Sequence, residues 1–168
     1  MSDKERQFLA ITEQYGAVVA KVCYLYTAPG ASFEDLYQET LINLWQGMDM
    51  FRGDSKMSTW IYRVSLNTCI SWHRRNGRHY STDRIRLEDV IFEPVDSESS
   101  HIEEDYRELY QLISMLPPID KAVITLWLDE KPYDEIAKII GISQANVAVR
   151  MHRIKEKLSK MAEKSALR

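Results

Sequence analysis

Only two cysteines are present, Cys23 and Cys69, with no CxxC pair and no histidine cluster beside them. That argues against a disulfide framework or a zinc site and fits a reducing compartment, with both thiols in a core. Also missing is any apolar run near the ~20 residues that span a bilayer, and the charged start Met1 to Arg6 is not followed by a signal-peptide core. The expectation is a soluble, cytoplasmic protein. Neither sign of charge dominates: 22 Lys and Arg stand against 25 Asp and Glu, a net charge of -3. Such a balance excludes both an acidic disordered chain and a strongly basic DNA coat protein. Strand-like alternation and internal repeats are absent too. Finally, His73, His79, His101 and His152 are scattered, and no nucleophile, base or metal set converges, so no catalysis, cofactor, metal or small-molecule substrate is expected.

What is there is helical periodicity. Phe8, Ile11, Tyr15, Val18, Val22 and Leu25 recur at steps of three and four, the stripe of an amphipathic helix. After the Pro29-Gly30 break, Ser32 with Asp35 three residues on reads as a cap opening a helix to about Gly47. Its apolar stripe is Tyr37, Leu41, Leu44, Trp45 and Met48. A turn over Phe51 to Ser55 precedes a third helix, read as capped by Ser58 and running from about Thr59 to Arg75. Periodicity then lapses. It returns at Tyr106, Leu109, Ile113 and Leu116, stops at Pro117-Pro118, and restarts over Ala122 to Leu128. With 45% hydrophobic residues in 168, the chain can build two small cores. The fold class expected is all-α: two small helical domains over 1–77 and 104–168, joined by a flexible acidic linker over 78–103. Three arginines there, Arg78, Arg84 and Arg86, face seven acids, Asp83, Glu88, Asp89, Glu93, Asp96, Glu98 and Glu103.

Near the C-terminus the spacing is that of a helix-turn-helix. Pro132 sits at a first turn, Ile136, Ala137 and Ile140 follow at helical spacing, Gly141 ends the helix and Ser143 caps the next. Small Ala137 lets two helices approach. On the second helix Val147, Met151, Ile154 and Leu158 point to a core, leaving Ala145, Val149, His152 and Arg153 outward, where a major groove would be read. From Ser143 on, seven bases stand against two acids, which suits phosphate contact. A solvated basic face complementing the helix dipole is the ordinary alternative.

The third helix carries a narrow polar stripe, Arg63, Asn67, Ser71 and Arg74, on an otherwise apolar rod. Arg grips phosphate or a guanine edge, and Asn offers both donor and acceptor, so the stripe suits a DNA strand as well as it suits solvent. Arg52, Ser55 and Lys56 lie in the preceding loop beside Phe51 and Trp60. Cations next to aromatics are what an unstacked base needs, although such aromatics more often belong to a core. On the second helix Asp35, Glu39 and Gln46 surround Ile42 opposite the apolar stripe. Acids around an exposed aliphatic make a protein-docking patch or a solvated face.

Taken in order, these residues resemble a known family. Asp35-Leu36-Tyr37-Gln38-Glu39 with Leu44-Trp45, then Phe51-Arg52-Gly53-Asp54-Ser55, Ser58 to Arg63 and Asn67, are similar to region 2 of extracytoplasmic-function sigma factors. Leu116-Pro117-Pro118, Tyr133 to Ala137 and Gly141 to Leu158 are similar to their region 4. The resemblance implies that the chain binds core RNA polymerase and promoter DNA, docking through Asp35, Gln38, Glu39 and Ile42. It assigns Arg52, Ser55, Lys56 and Trp60, with Arg63, Asn67 and Arg74, to the melted -10 element. The -35 duplex would fall to Ser143, Gln144, Asn146, Ala148 and Val149, followed by Arg150, His152, Arg153 and Lys155. It further implies an anti-sigma factor as partner, often membrane-bound. Many members carry a basic residue where Ala148 stands and an aromatic where His152 stands, so the -35 sequence cannot be borrowed from relatives.

Charge supports a division of labour. Residues 1–77 carry eight bases and eight acids, and residues 104–168 carry eleven against ten. Weak DNA binding by the free chain is the expectation, because non-specific affinity is mostly phosphate neutralisation. A free-standing helix-turn-helix regulator would need a dimer interface to set half-site spacing, and the first helical domain would be unexplained.

Overall fold

The computed structural model describes residues 1–76 and 100–167. Residues 78–99, most of the stretch read as a linker, lie outside the described residues. The chain divides into two compact units, Met1–Tyr80 and Ser81–Arg168. Among the described residues there is no strand; an isolated bridge joins Ala28 to Ala31 across the Pro29-Gly30 turn.

The first unit packs three helices on one another: α1 (Asp3–Leu25), α2 (Phe33–Gly47) and α3 (Met57–Asn76), with a 3-10 turn over Met48–Met50 after α2. A reciprocal capping box opens α1. The Glu5 amide donates to Ser2 Oγ and the Ser2 amide to Glu5 Oε2, which satisfies two amides that a helix start would leave unpaired. Ser32 Oγ does half as much for α2, accepting from the Asp35 amide at 3.1 Å. Lys4 pairs with Asp49 and lies over the Trp45 ring, while Phe8 meets Trp45 edge-on at 5.3 Å. Those contacts fasten the start of α1 to the end of α2.

One boundary and one buried face differ from the sequence reading. α3 begins at Met57, with the Trp60 amide donating to the Lys56 carbonyl, so Ser58 lies inside the first turn rather than capping it. The buried line of α2 is Leu36, Thr40 and Leu44, turned by one residue from the expected stripe; Tyr37, Leu41, Trp45 and Met48 flank it half-buried. Thr40 can sit there because its hydroxyl donates to the Leu36 carbonyl at 2.7 Å, leaving no unsatisfied donor in the core.

Polar groups in this core are paired. Cys23 and Cys69, read as unconnected in sequence, are buried free thiols brought together by α1 and α3. A hydrogen bond from Cys69 holds the Cys23 thiol below its ordinary range, opposing burial, and Thr40 Oγ1 lies 3.7 Å from its sulfur. Burial pushes the Tyr37 phenol up. His73 is buried with Nε2 2.6 Å from the Tyr26 carbonyl; a carbonyl only accepts, so Nε2 carries the proton.

The second unit holds α4 (Ser100–Ser114), α5 (Pro118–Leu128), α6 (Tyr133–Ile140) and α7 (Gln144–Ala166). α4 opens inside the stretch read as linker. α5 starts at Pro118, four residues before the apolar pattern restarts, because a proline at the first helical position has its φ preset and no amide to lose. α7 packs on α4, α5 and α6, and Ile113, Leu116, Leu126, Ile136, Val147, Met151 and Ile154 form the centre of the core.

Candidate nucleic-acid interface

Between α6 and α7 the backbone turns through Gly141, at φ 81 and ψ 37. The Gly141 and Ile142 amides both donate to the Ala137 carbonyl, at 2.8 and 3.2 Å. A residue without Cβ adopts this left-handed conformation at the least cost. Two residues later Ser143 Oγ accepts from the Asn146 amide at 3.1 Å, so α7 starts at a fixed point and a fixed angle. Val147, Met151 and Ile154 anchor it inward, and Ser143, Gln144, Ala145, Asn146, Ala148, Val149, His152 and Arg153 are exposed. The face read from the sequence is therefore the face that reaches solvent.

Two cations of that face are held rather than loose. Arg150 Nη1 donates to Asp120 of α5 at 2.7 Å, and the Lys155 ammonium lies 4.5 Å above the Trp127 ring, also on α5. His152 stands 3.8 Å from Glu156 one turn on. Neither Asp120 nor Trp127 was singled out by the sequence, since nothing local marks a contact thirty residues away.

In the first unit the loop 51–56 links the 3-10 turn to α3. Gly53 carries φ 76, which lets the chain reverse and leaves Arg52 and Lys56 exposed with Ser55 half-buried. Phe51 and Trp60 lean on each other at 5.2 Å and 39°, and both are half-exposed, so neither belongs to the closed core. The indole is seated against Gly47, where an added Cβ would lie 3.1 Å from Trp60 Cζ2. From Trp60 the positions at three, seven, eleven and fourteen residues on are Arg63, Asn67, Ser71 and Arg74. They share one side of α3 over about 21 Å at 1.5 Å per residue. Asn67 and Arg74 are exposed, and Arg63 and Ser71 half-buried. An aromatic plate, guanidinium groups and an amide in line can stack a base and hold a strand.

The third surface lies on α2. Asp35, Gln38, Ile42 and Gln46 are exposed, Ile42 at 54%. Glu39 is half-exposed and accepts from Arg75 Nη2 of α3 at 2.6 Å. The Asn43 side chain donates to Thr68 Oγ1 at 2.9 Å, so the rotation of α2 is fixed against α3. Among the described residues no three His, Cys, Asp or Glu side chains gather as metal ligands, and no helix is long and apolar enough to cross a membrane.

Comparison with known proteins bears on all three surfaces. Residues 11–79 match the model of sigma-70 region 2, and residues 106–158 match that of sigma-70 region 4. The ECF RNA polymerase sigma-E factors of Salmonella typhimurium and Escherichia coli are each 30% identical over 162 residues, covering 90% of this chain and 84% of the relative. RNA polymerase sigma factor YlaC of Bacillus subtilis is 27% identical over 135 residues, 79% of this chain and 78% of its own length. Among solved structures, the sigma factor RpoE in complex with the anti-sigma factor NepR from Bartonella quintana superposes with a TM-score of 0.70. It is 20% identical, with 94% of this chain and 98% of that chain covered. CnrH in complex with the cytosolic domain of CnrY gives 0.65 at 21% identity over 95% and 89%.

Proposed function

The chain belongs to the extracytoplasmic-function sigma factors of the sigma-70 family, and from that membership we propose a role for each of its three surfaces. Its function is that of the family, promoter-specific initiation of transcription with core RNA polymerase. The domains are 1–77 for region 2, 78–103 for the connection and 104–168 for region 4. Asp35, Gln38, Glu39 and Ile42 dock on core polymerase. Arg52, Ser55, Lys56, Trp60, Arg63, Asn67 and Arg74 hold the opened -10 strand. The exposed face of α7, from Ser143 to Lys155, reads the -35 duplex. The chain is no catalyst and works in the cytoplasm, where its polymerase is. An anti-sigma factor controls it, as the partner named for Bartonella quintana RpoE suggests.

The observation that carries this reading is the line from Trp60 to Arg74 on α3, an aromatic plate continued by groups that grip a strand. It is the part of the chain that a simple helix-turn-helix regulator would not need. Reconstitution tests it: purified chain added to core enzyme should direct initiation at discrete sites on genomic DNA, mapped by transcript 5′ ends. Transcripts no different from those of core alone would sink the assignment.

Trp60→Ala is expected to leave promoter binding largely intact and to lower strand opening about tenfold to a hundredfold, the worth of one stacked base. Permanganate reactivity of unpaired thymines reads the step. A template mismatched over the -10 element should restore much of the loss, whereas a loss that persists on that template would mean the indole serves packing alone. The free chain should also bind duplex weakly, given its balanced charge; tight, sequence-specific binding in a gel shift without core enzyme would contradict this.

A further inference from the structure

The ion pair between Asp120 and Arg150 joins an acid that no motif marks to a base on the recognition helix. Asp120 is the third residue of α5, only 20% exposed, and Arg150 is 40% exposed. Arg150 stands at the edge of α7 where the buried line of Val147, Met151 and Ile154 meets the exposed side with Asn146 and Arg153. A guanidinium has five N–H donors in a rigid plane, and the contact at 2.7 Å uses one on Nη1. The rest of the plane remains available, in an orientation that the carboxylate has fixed.

We propose that Asp120 is a positioning residue for -35 recognition: it holds Arg150 to a base edge and denies it to neighbouring phosphates. The proposal rests on the reading that α7 enters the -35 duplex. Its logic is a competition between two effects of opposite sign. A carboxylate near DNA subtracts from the attraction for phosphate, which is the larger part of sequence-independent affinity. The same carboxylate removes rotamers of a long side chain, and discrimination by a bidentate Arg contact depends on that geometry. Removing the charge should therefore raise binding to unrelated DNA while lowering preference for the cognate site. A residue that only stabilised its own helix could raise non-specific binding through its charge but would leave preference for the cognate site unchanged. Asp120 also complements the α5 dipole from its first turn, and that role is independent of Arg150, which gives the experiment its control.

The test uses full-length chain assembled with core polymerase. Its probe is a pool of duplex DNA randomised over the -35 region, followed by titration of the selected sequence and its single-base variants at fixed ionic strength. Asp120→Asn should relax preference about tenfold at one or two adjacent positions, within what one well-placed Arg contact contributes, and bind unrelated duplex more tightly. Asp120→Glu should restore preference. In an Arg150→Ala background, Asp120→Asn should change preference no further. Unaltered preference in Asp120→Asn, or an equal loss in the Arg150→Ala background, overturns the proposal. If Arg150→Ala leaves preference intact, Arg150 is not a reader and the proposal falls with it. If the wild-type holoenzyme selects no sequence over this region, the -35 reading of α7 itself has failed.

Discussion

Replacing both Asp35 and Glu39 by lysine is expected to yield a folded chain that no longer co-purifies with core polymerase. The two carboxylates precede Ile42, which is 54% exposed, on the side of α2 turned away from its buried line. Truncating one partner of a desolvated interfacial charge pair costs about 2–5 kcal/mol, and reversal adds repulsion to the loss. Affinity for core should therefore fall by at least about a hundredfold, read by anisotropy of labelled chain titrated with core enzyme. The cost to folding is smaller. Lysine in the first turn of α2 opposes the helix dipole at about 0.3–1 kcal/mol. The Glu39 to Arg75 pair, with side chains 35% and 58% exposed, is screened by water and contributes about 0.2–1 kcal/mol. Against the ~5–15 kcal/mol of a typical domain, the first unit stays folded. Arg75→Ala serves as the control, since it breaks that pair and leaves the acidic side in place. Were it to abolish core binding as completely as the double reversal does, stability and not docking would be the cause. Unchanged affinity in the double reversal would show that the docking face lies elsewhere.

Features written by neighbours in sequence were the legible ones. Ser32, Gly141 and Ser143 mark their helix ends because a cap is satisfied within three or four residues, and the outward face of α7 followed from its buried one. Legibility failed where a local signal had a second meaning. Pro117-Pro118 reads as a break, yet Pro118 is the first residue of α5. Thr40 is polar by type, and its hydrogen bond to Leu36 lets it take a core position and rotate the buried line of α2. At the end of α5 the chain turns through Glu130 at φ 58, a conformation for which Gly or Asn is the usual mark. Contacts distant in sequence left no mark at all. Glu39 with Arg75, Asp120 with Arg150, and Trp127 with Lys155 turn what reads as a uniform charged surface into a set of positioned groups.

Gly141 is where local chemistry and promoter reading meet, and substitution there should silence the second unit while sparing the first. An added Cβ would meet nothing within 4 Å, so the penalty is that of the backbone alone, free of any clash. At φ 81 an alanine costs about 1–2 kcal/mol, a β-branched valine more, and asparagine less, because its side chain tolerates this region. Stability of the second unit should thus fall in the order Gly, Asn, Ala, Val, followed by thermal denaturation. Relief of the strain is open to the valine variant only by rotating the turn, which swings α7 on the two hydrogen bonds that the amides of residues 141 and 142 donate to the Ala137 carbonyl. A recognition helix misplaced by a few degrees loses base contacts that depend on bidentate geometry. Initiation at a -35-dependent promoter should accordingly drop about tenfold or more in Gly141→Val at a temperature where the unit is still folded, with Gly141→Asn close to wild type. Core binding, which this reading gives to α2, should be unaffected in the same preparations. A valine variant that melts and initiates like wild type would mean the turn does not set the angle of α7, and that its exposed face reaches DNA by some other constraint.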